Sequence, residues 1–285
     1  MELSREQIEN VLHGISLPPQ PQVLVDLQLE QLMPNPDLGR ITTLISKDPS
    51  LSGTMLKVVN SVFALKNTIS SIQQAVQILG LTTVLNILSG ISIKSEMDDA
   101  TIIQMNRFWD TACDIANISA ALAKHLGLNG ADEAYTIGLF HNCGVPLLLT
   151  RFPEYLDVVS QSYLSHDDRI IDIENRLLNT NHAVVGYYVA RSWRLPAKLC
   201  EIIAEHHNVE SVFIANEPYP PEKKTLLSIL KMAEHLCRNF SILGEQDEDH
   251  EWEKIQVPLL SYMGLTEDTF ADIRDDFIEK NLLIA

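Results

Sequence analysis

Apolar residues recur along this chain at the three-and-four spacing of helices, and no stretch of convincing length alternates as a strand would. Asp48-Pro49 reads as an N-cap with proline at the first helical position, after which Leu51, Met55, Val58, Val59 and Val62 follow one helix face. Ser71 with Gln74 three residues on makes a capping box, and Ile72, Ala75, Val76 and Leu79 form a stripe that Gly80 ends. Ala112, Ile115, Ala116, Ser119, Ala120 and Ala123 are a stripe of small residues. They predict a central helix that a neighbour can approach closely, with Gly127 as its stop. Over 132–149, Ala134, Ile137, Gly138, His141 and Val145 share one side, and Pro146 is expected to kink or shorten the end.

Further on, helices are expected over 182–194, ended by Leu195-Pro196, and over 196–207, with His206-His207 at the C-terminal end. The helix dipole favours charged imidazoles there unless something intervenes. Prolines at 218, 220 and 221 mark 216–221 as a loop, and helix returns over 222–240. The acidic run 245–251 reads as a solvated turn before an amphipathic tail, and 209–215 is the one stretch of ambiguous type. The fold class is therefore all-α. A polar stretch at 96–100 divides it into a helical part, 1–98, and a second part, 99–285, that carries most of the histidines.

Composition narrows the function classes. With 285 residues, 46% of them hydrophobic, the chain can fill a sizeable core, and no window approaches the roughly 20 apolar residues of a membrane span. The formal charge of −17 repels nucleic-acid phosphates and anionic membrane surfaces, so neither is expected as a partner. MELSREQIEN lacks the basic and apolar regions of a signal peptide, and Cys113, Cys143, Cys200 and Cys237 form no CxxC pair. Both point to a reducing cytoplasm. No phosphate loop, dinucleotide fingerprint, nucleophile elbow or HExxH occurs.

Three motifs recur in order: Leu17-Pro18-Pro19-Gln20-Pro21; Ile45-Ser46-Lys47-Asp48-Pro49-Ser50-Leu51 leading to Asn60-Ser61-Val62-Phe63; and Ile69-Ser70-Ser71-Ile72 leading to Ala75-Val76 and Leu79-Gly80-Leu81. Physically they are a rigid lead-in, a helix start, and an amide at a helix end that can bind free backbone groups. Together they resemble the HDOD family, the HD-related output domains of bacterial signalling proteins, over roughly residues 15–210. The resemblance implies a multi-helix HDOD/HD-like bundle with a helical extension.

The C-terminal half looks like a degenerate HD domain, the fold whose phosphohydrolase members bind metal through histidines and aspartates. Carried over by position, an active member's first histidine falls on Thr111, its His-Asp doublet on His141-Asn142, and its last aspartate on Glu234. Asn142 matters most, because a carboxylate can bridge two cations and offset their charge whereas a neutral amide offers one weak carbonyl ligand. Dinuclear relatives of the HD-GYP type, which resemble cyclic-di-GMP phosphodiesterases, use further histidines, and those positions are filled here by His182 and His206-His207.

Taken singly, His141 on an apolar face reads as a core histidine bonded to a carbonyl, and His182, His206 and His207 as helix-end residues. Cys143 reads as a buried small side chain, and His13, His125, His166, His235 and His250 as surface residues, His235 being the one a helix could turn inward. Taken together, His141, Asn142, His182, His206, His207 and Glu234 form a candidate degenerate site. Its imidazoles could hold a single divalent transition metal and no other cofactor is expected. The function expected is a non-catalytic regulatory module working through contacts with signalling proteins or a second copy of itself. The alternatives are a metal-dependent phosphohydrolase with an atypical ligand set, or a nucleotide or small-molecule sensor using the former cleft.

Overall fold

The structure, a computed structural model, describes residues 12, 14–15, 22–46, 52–53, 55–56, 59–60, 69, 71–95, 106–215 and 217–283, with backbone alone at 90–95, 106–107 and 109. The lead-in 17–21, the Asp48-Pro49 helix start, Val58, Ser61-Val62-Phe63, Ser70, His13 and the boundary stretch 96–100 lie outside the described residues. All regular elements among the described residues are helices, so the all-α expectation holds. No single helix there is long and apolar enough to cross a membrane.

The N-terminal part consists of α1 (Gln22–Gln31), α2 (Leu38–Ser46), α3 (Ile72–Leu79) and α4 (Leu81–Ser95). Ser71 caps α3 as its motif predicts, accepting from the Gln74 N–H at 3.2 Å. At Gly80 the backbone takes φ 80°, a left-handed value that suits glycine, and α3 and α4 part there by 116°. Asn60 also acts as its motif predicts. Its amide donates to Leu56 O (2.9 Å) and Ile69 O (2.8 Å) while its oxygen accepts from the Ile69 N–H (2.7 Å), which ties the 60–69 connection to the helix end.

The central helix α5 (Asn106–His125) packs on α6 (Ala131–Phe140) more extensively than any other helix pair among the described residues. The small-residue stripe explains the fit: Gly138 lies so close to α5 that an added Cβ would stand 2.7 Å from Ala116 Cα. The expected single helix over 132–149 is instead two. α6 stops at Phe140, residues 141–144 turn, and α7 (Val145–Arg151) begins with Pro146 in its first turn. Proline at that position starts a helix without losing a hydrogen bond, so Pro146 opens α7 rather than kinking α6.

Four helices follow: α8 (Tyr155–Leu164), α9 (Ile170–Leu178), α10 (His182–Ser192) and α11 (Ala197–Glu205). The ambiguous stretch is helical, as α12 (Val209–Phe213). The helix expected over 222–240 splits into α13 (Pro221–Leu236) and α14 (Asn239–Gly244), because Arg238 adopts a left-handed φ of 54° between them. Then come α15 (His250–Tyr262) and α16 (Glu267–Glu279). One apolar cluster runs from Ile15 to Ile203 and the other from Ile115 to Phe277. Residues of α5 and α6 belong to both, so these helices form the shared wall against which the histidines are set.

Candidate metal centre

Helix ends bring the histidines together. His141 is the C-cap of α6, His182 the first residue of α10, and His206-His207 follow α11 directly. Asn181 fixes the start of α10 by accepting from the Val184 N–H at 2.8 Å. The turn 141–144 reaches α10 because Gly144 has no side chain: a Cβ there would overlap the carbonyl oxygen of His182. The rings of His182 and His206 lie 5.2 Å apart, those of His182 and His207 5.0 Å, and those of His141 and His206 5.4 Å. All are buried, His141 and His206 completely.

Each ring is oriented through Nδ1. His141 bonds Gly138 O at 2.8 Å and His206 bonds Ile203 O at 2.7 Å. His182 bonds Glu174 at 2.8 Å, and His207 bonds Glu251 Oε1 at 2.8 Å. Carbonyls and carboxylates only accept, so in the neutral rings Nδ1 carries the proton and Nε2 keeps its lone pair. The lone pairs then face one another: His182 Nε2 is 3.3 Å from His206 Nε2 and 3.1 Å from His207 Nε2.

Those residues fit a metal ion. A tetrahedral ion with metal–nitrogen bonds near 2.0–2.1 Å separates its ligand nitrogens by about 3.3 Å. Outer partners that hold the proton on the far ring nitrogen are also what metal-ligating histidines require. Glu174 and Glu251 fill that role for His182 and His207, and Glu174 is itself held by the Tyr155 hydroxyl (2.6 Å) and the His182 backbone N–H (3.0 Å).

A second group adjoins the first. On α13, Lys231 and Glu234 stand three residues apart and both point inward, and Lys231 Nζ contacts Glu234 Oε2 at 2.8 Å and Glu251 Oε2 at 2.7 Å. Glu234 Oε1 lies 3.3 Å from His141 Nε2, which has no hydrogen-bond partner among the described residues. Burial would lower the Lys231 pKa, but Glu234 and Glu251 together hold it above its ordinary value, so the ammonium stays charged. For Glu234 burial is again opposed, here foremost by the Lys231 ammonium, and its carboxyl is held well below its ordinary value.

The expectation that the helix dipole would charge His206 and His207 is not met. Burial, then the neighbouring His207 for His206 and Lys231 for His207, push both imidazoles well below their ordinary value near 6.5. In the unfolded chain both protonate near pH 6.5, and in the folded chain they do so only at much lower pH. The unfolded state therefore binds more protons below that point, and stability is complete above pH 6.5 and falls as the pH drops. For chelator-treated protein the expected loss is about 1.4 kcal/mol per pH unit for each histidine, starting near pH 6.5. Urea midpoints between about pH 7.5 and 5.5 measure it, and a flat profile would contradict the assignment.

Of the six candidate residues, His141, His182, His206, His207 and Glu234 are brought together. Asn142 is buried beside His141 in the turn, and its Oδ1 has no hydrogen-bond partner among the described residues. Thr111 is buried on α5. Glu174, Lys231 and Glu251 were not expected. Glu174 and Lys231 could have been found by spacing, since Glu174 lies four residues from both Ile170 and Leu178 on the apolar face of α9, and Lys231 four after Leu227. Glu251 corrects the reading of 245–251 as solvated, because Asp249 caps α15 by accepting from the Trp252 N–H and so starts a helix whose first turn folds over the centre. His250 is likewise buried, its ring 3.6 Å from that of His166, so it is not a surface residue. Cys143 is buried as expected, and burial pushes its thiol well up, which leaves it inert.

A helical domain whose helix ends deliver a doublet at 141–142, a histidine at 182 and a pair at 206–207 has the layout of the HD class. The chain belongs to the HDOD family: the HDOD domain model matches residues 17–209. An uncharacterized protein of Treponema pallidum (strain Nichols) is 27% identical over 244 residues, which is 84% of this chain and 45% of that protein. The chain thus spans about half the length of that curated relative. An HDOD domain protein of unknown function from Geobacter sulfurreducens shares the fold with a TM-score of 0.66 at 20% identity, covering 97% of this chain and 95% of that one. A Shewanella amazonensis SB2B protein named provisionally as a phosphohydrolase gives 0.65 at 20% identity over 96% of each chain. At that identity the likeness concerns the fold.

Proposed function

We propose that this chain is a cytoplasmic regulatory module that acts through contacts with signalling proteins and holds one divalent transition metal at His182, His206 and His207 without hydrolysing a substrate. The observation that carries this reading is enclosure. The ligand rings are buried, and the cavity lined by Lys231, Glu234 and Glu251 has a volume of about 40 Å³. Small-molecule sites occupy roughly 300–1,000 Å³. A space this size takes water rather than a nucleotide, which counts against both a hydrolase and a nucleotide sensor.

The chemistry agrees. Metal-assisted hydrolysis needs an open coordination position and a carboxylate to orient the attacking water. Asn142 provides no such carboxylate, and those of Glu234 and Glu251 are engaged by Lys231. A bound ion would supply a cross-link between the start of α10 and the end of α11. Around it, this chain's own residues hold protons at Nδ1 and exclude water.

Elemental analysis of protein purified without chelator tests the reading, together with a screen of phosphomonoesters and phosphodiesters with manganese, iron or zinc. The expected result is about one metal ion per chain, lost in His182→Ala, and no turnover above buffer. Turnover that His182→Ala abolishes would overturn the non-catalytic assignment, and metal-free protein would overturn the metal.

A further inference from the structure

We propose that the cleft between α1, α4 and the link from α10 to α11 binds a small anionic polyol, a sugar phosphate or a sugar acid, with Arg194 holding its anionic group. The cleft shares no residue with the three-histidine site, and Gln28 Nε2 joins its two sides by donating to Trp193 O at 3.3 Å. Its volume is about 260 Å³, just below the roughly 300–1,000 Å³ usual for small-molecule sites, so its ligand is small. Arg194 is the one charged residue in the described lining. Its backbone position is unusual for an arginine. The Leu195 N–H bonds Ala190 O at 3.0 Å and the Arg194 N–H bonds Arg191 O at 3.1 Å, the paired bonds that end a helix through a residue in the left-handed region. Arg194 takes φ 59° there, where glycine costs least. The backbone alone would select glycine, so the side chain is kept for what it meets. In a chain of formal charge −17, a guanidinium lining a cleft without an acidic neighbour in that lining suits a carboxylate or phosphate from outside.

The uncharged groups indicate what carries the anion. Asn86 Nδ2 donates to Asp132 Oδ2 at 3.4 Å, and Gln31 Nε2 donates to Thr82 Oγ1 at 3.0 Å. Both amides direct their nitrogens into the protein and keep their oxygens as acceptors. Thr82 and Ser89 add hydroxyls to the lining. A ligand hydroxyl both donates and accepts, so a polyol meets amide oxygens and these hydroxyls alike. An ammonium could also meet the oxygens, but Arg194 repels it and no carboxylate of the described lining holds it. Leu85, Leu195 and Pro196 give apolar surface for the C–H groups of the ligand. The ligand also touches the link between α10 and α11, the helices that carry His182 at the start of one and His206-His207 just after the end of the other.

The test is calorimetric titration of the full chain with glucose 6-phosphate and with gluconate, beside glucose and inorganic phosphate. Saturable binding of an anionic sugar at about one per chain is expected, about tenfold or more tighter than glucose or phosphate alone. Binding of glucose 6-phosphate alone identifies a sugar phosphate as the ligand, binding of gluconate alone a sugar acid, and binding of both the shared chemistry. Arg194→Gly is expected to weaken that binding about 10–100-fold while melting no lower than wild type, because glycine suits the left-handed backbone. Loss of affinity in that variant is then not loss of fold. The proposal is overturned by no saturable binding of either anionic sugar, by unchanged affinity in Arg194→Gly, or by glucose or phosphate binding as tightly as the anionic sugars. None of these outcomes depends on bound metal, so the three-histidine reading stands or falls separately.

Discussion

Glu174→Ala is expected to destabilise the chain by about 3–5 kcal/mol, the cost of removing one partner from a buried, charge-assisted network. The side chain is fully buried and accepts from three donors: the Tyr155 hydroxyl, the His182 Nδ1–H and the His182 backbone N–H. None of these can turn to water from its place, so each keeps its desolvation penalty once the carboxylate is gone. Burial and then Glu174 already hold the Tyr155 phenol well above its ordinary value, so that hydroxyl remains a donor in search of an acceptor. Glu174→Gln should cost less, because its carbonyl can still accept while its amide must face at least one donor. The change also frees the His182 ring from its tautomer, and metal affinity should fall about 10–100-fold, as is typical when an outer partner of a ligating histidine is lost. Urea midpoints and zinc titration of the two variants measure both effects. Equal stability of Glu174→Ala and wild type would mean the network is not formed.

Glu174 also shows where sequence reading stopped short. The helical class, the small-residue stripe of α5, the Ser71 cap and the Asn60 clamp were all legible, because each depends on residues within one or two turns of each other. His182, His206, His207 and Glu234 were legible through the family likeness, which locates positions without orienting them. What could not be read is how a helix ends inside an apolar run. The stripe through Ile137, Gly138, His141 and Val145 continues across a break in the backbone, so periodicity alone joined α6 to α7, and only Pro146 carried the opposite signal.

Charged residues on buried faces were lost for a related reason. Lys231 and Glu251 lie after residue 209, where the family match ends, and no motif pointed to either of them. A run such as 245–251 reads as solvated because acidic residues close in sequence repel one another. Its last member escapes that rule by meeting Lys231 and His207, which are 20 and 44 residues away. The family fold therefore supplies the histidines, and the C-terminal helices supply the groups that fill and close the space beside them.

Gly144→Ala should be the most damaging glycine-to-alanine change among the described residues. Its φ of −73° is ordinary, so any residue could adopt the backbone conformation, and the constraint is space alone. The added carbon would overlap the carbonyl oxygen of His182 and stand 3.0 Å from the Gly186 nitrogen, both of them backbone atoms that no side-chain rotation can clear. Either α7 or α10 must shift, and α10 begins at His182, whose Nε2 faces those of His206 and His207 at 3.1–3.3 Å. A displacement of even a few tenths of an ångström breaks that convergence. The expected result is a loss of about 3 kcal/mol or more, at the upper end for overpacking, together with loss of bound metal. Gly53→Ala is the matched control. Residue 53 is helical and nothing lies within 4 Å of its added carbon, so that variant should gain about 0.4–1 kcal/mol and keep its metal. Thermal melts paired with metal analysis separate the outcomes: Gly144→Ala melting with wild type and retaining its ion would show that α7 and α10 are not in contact at this point.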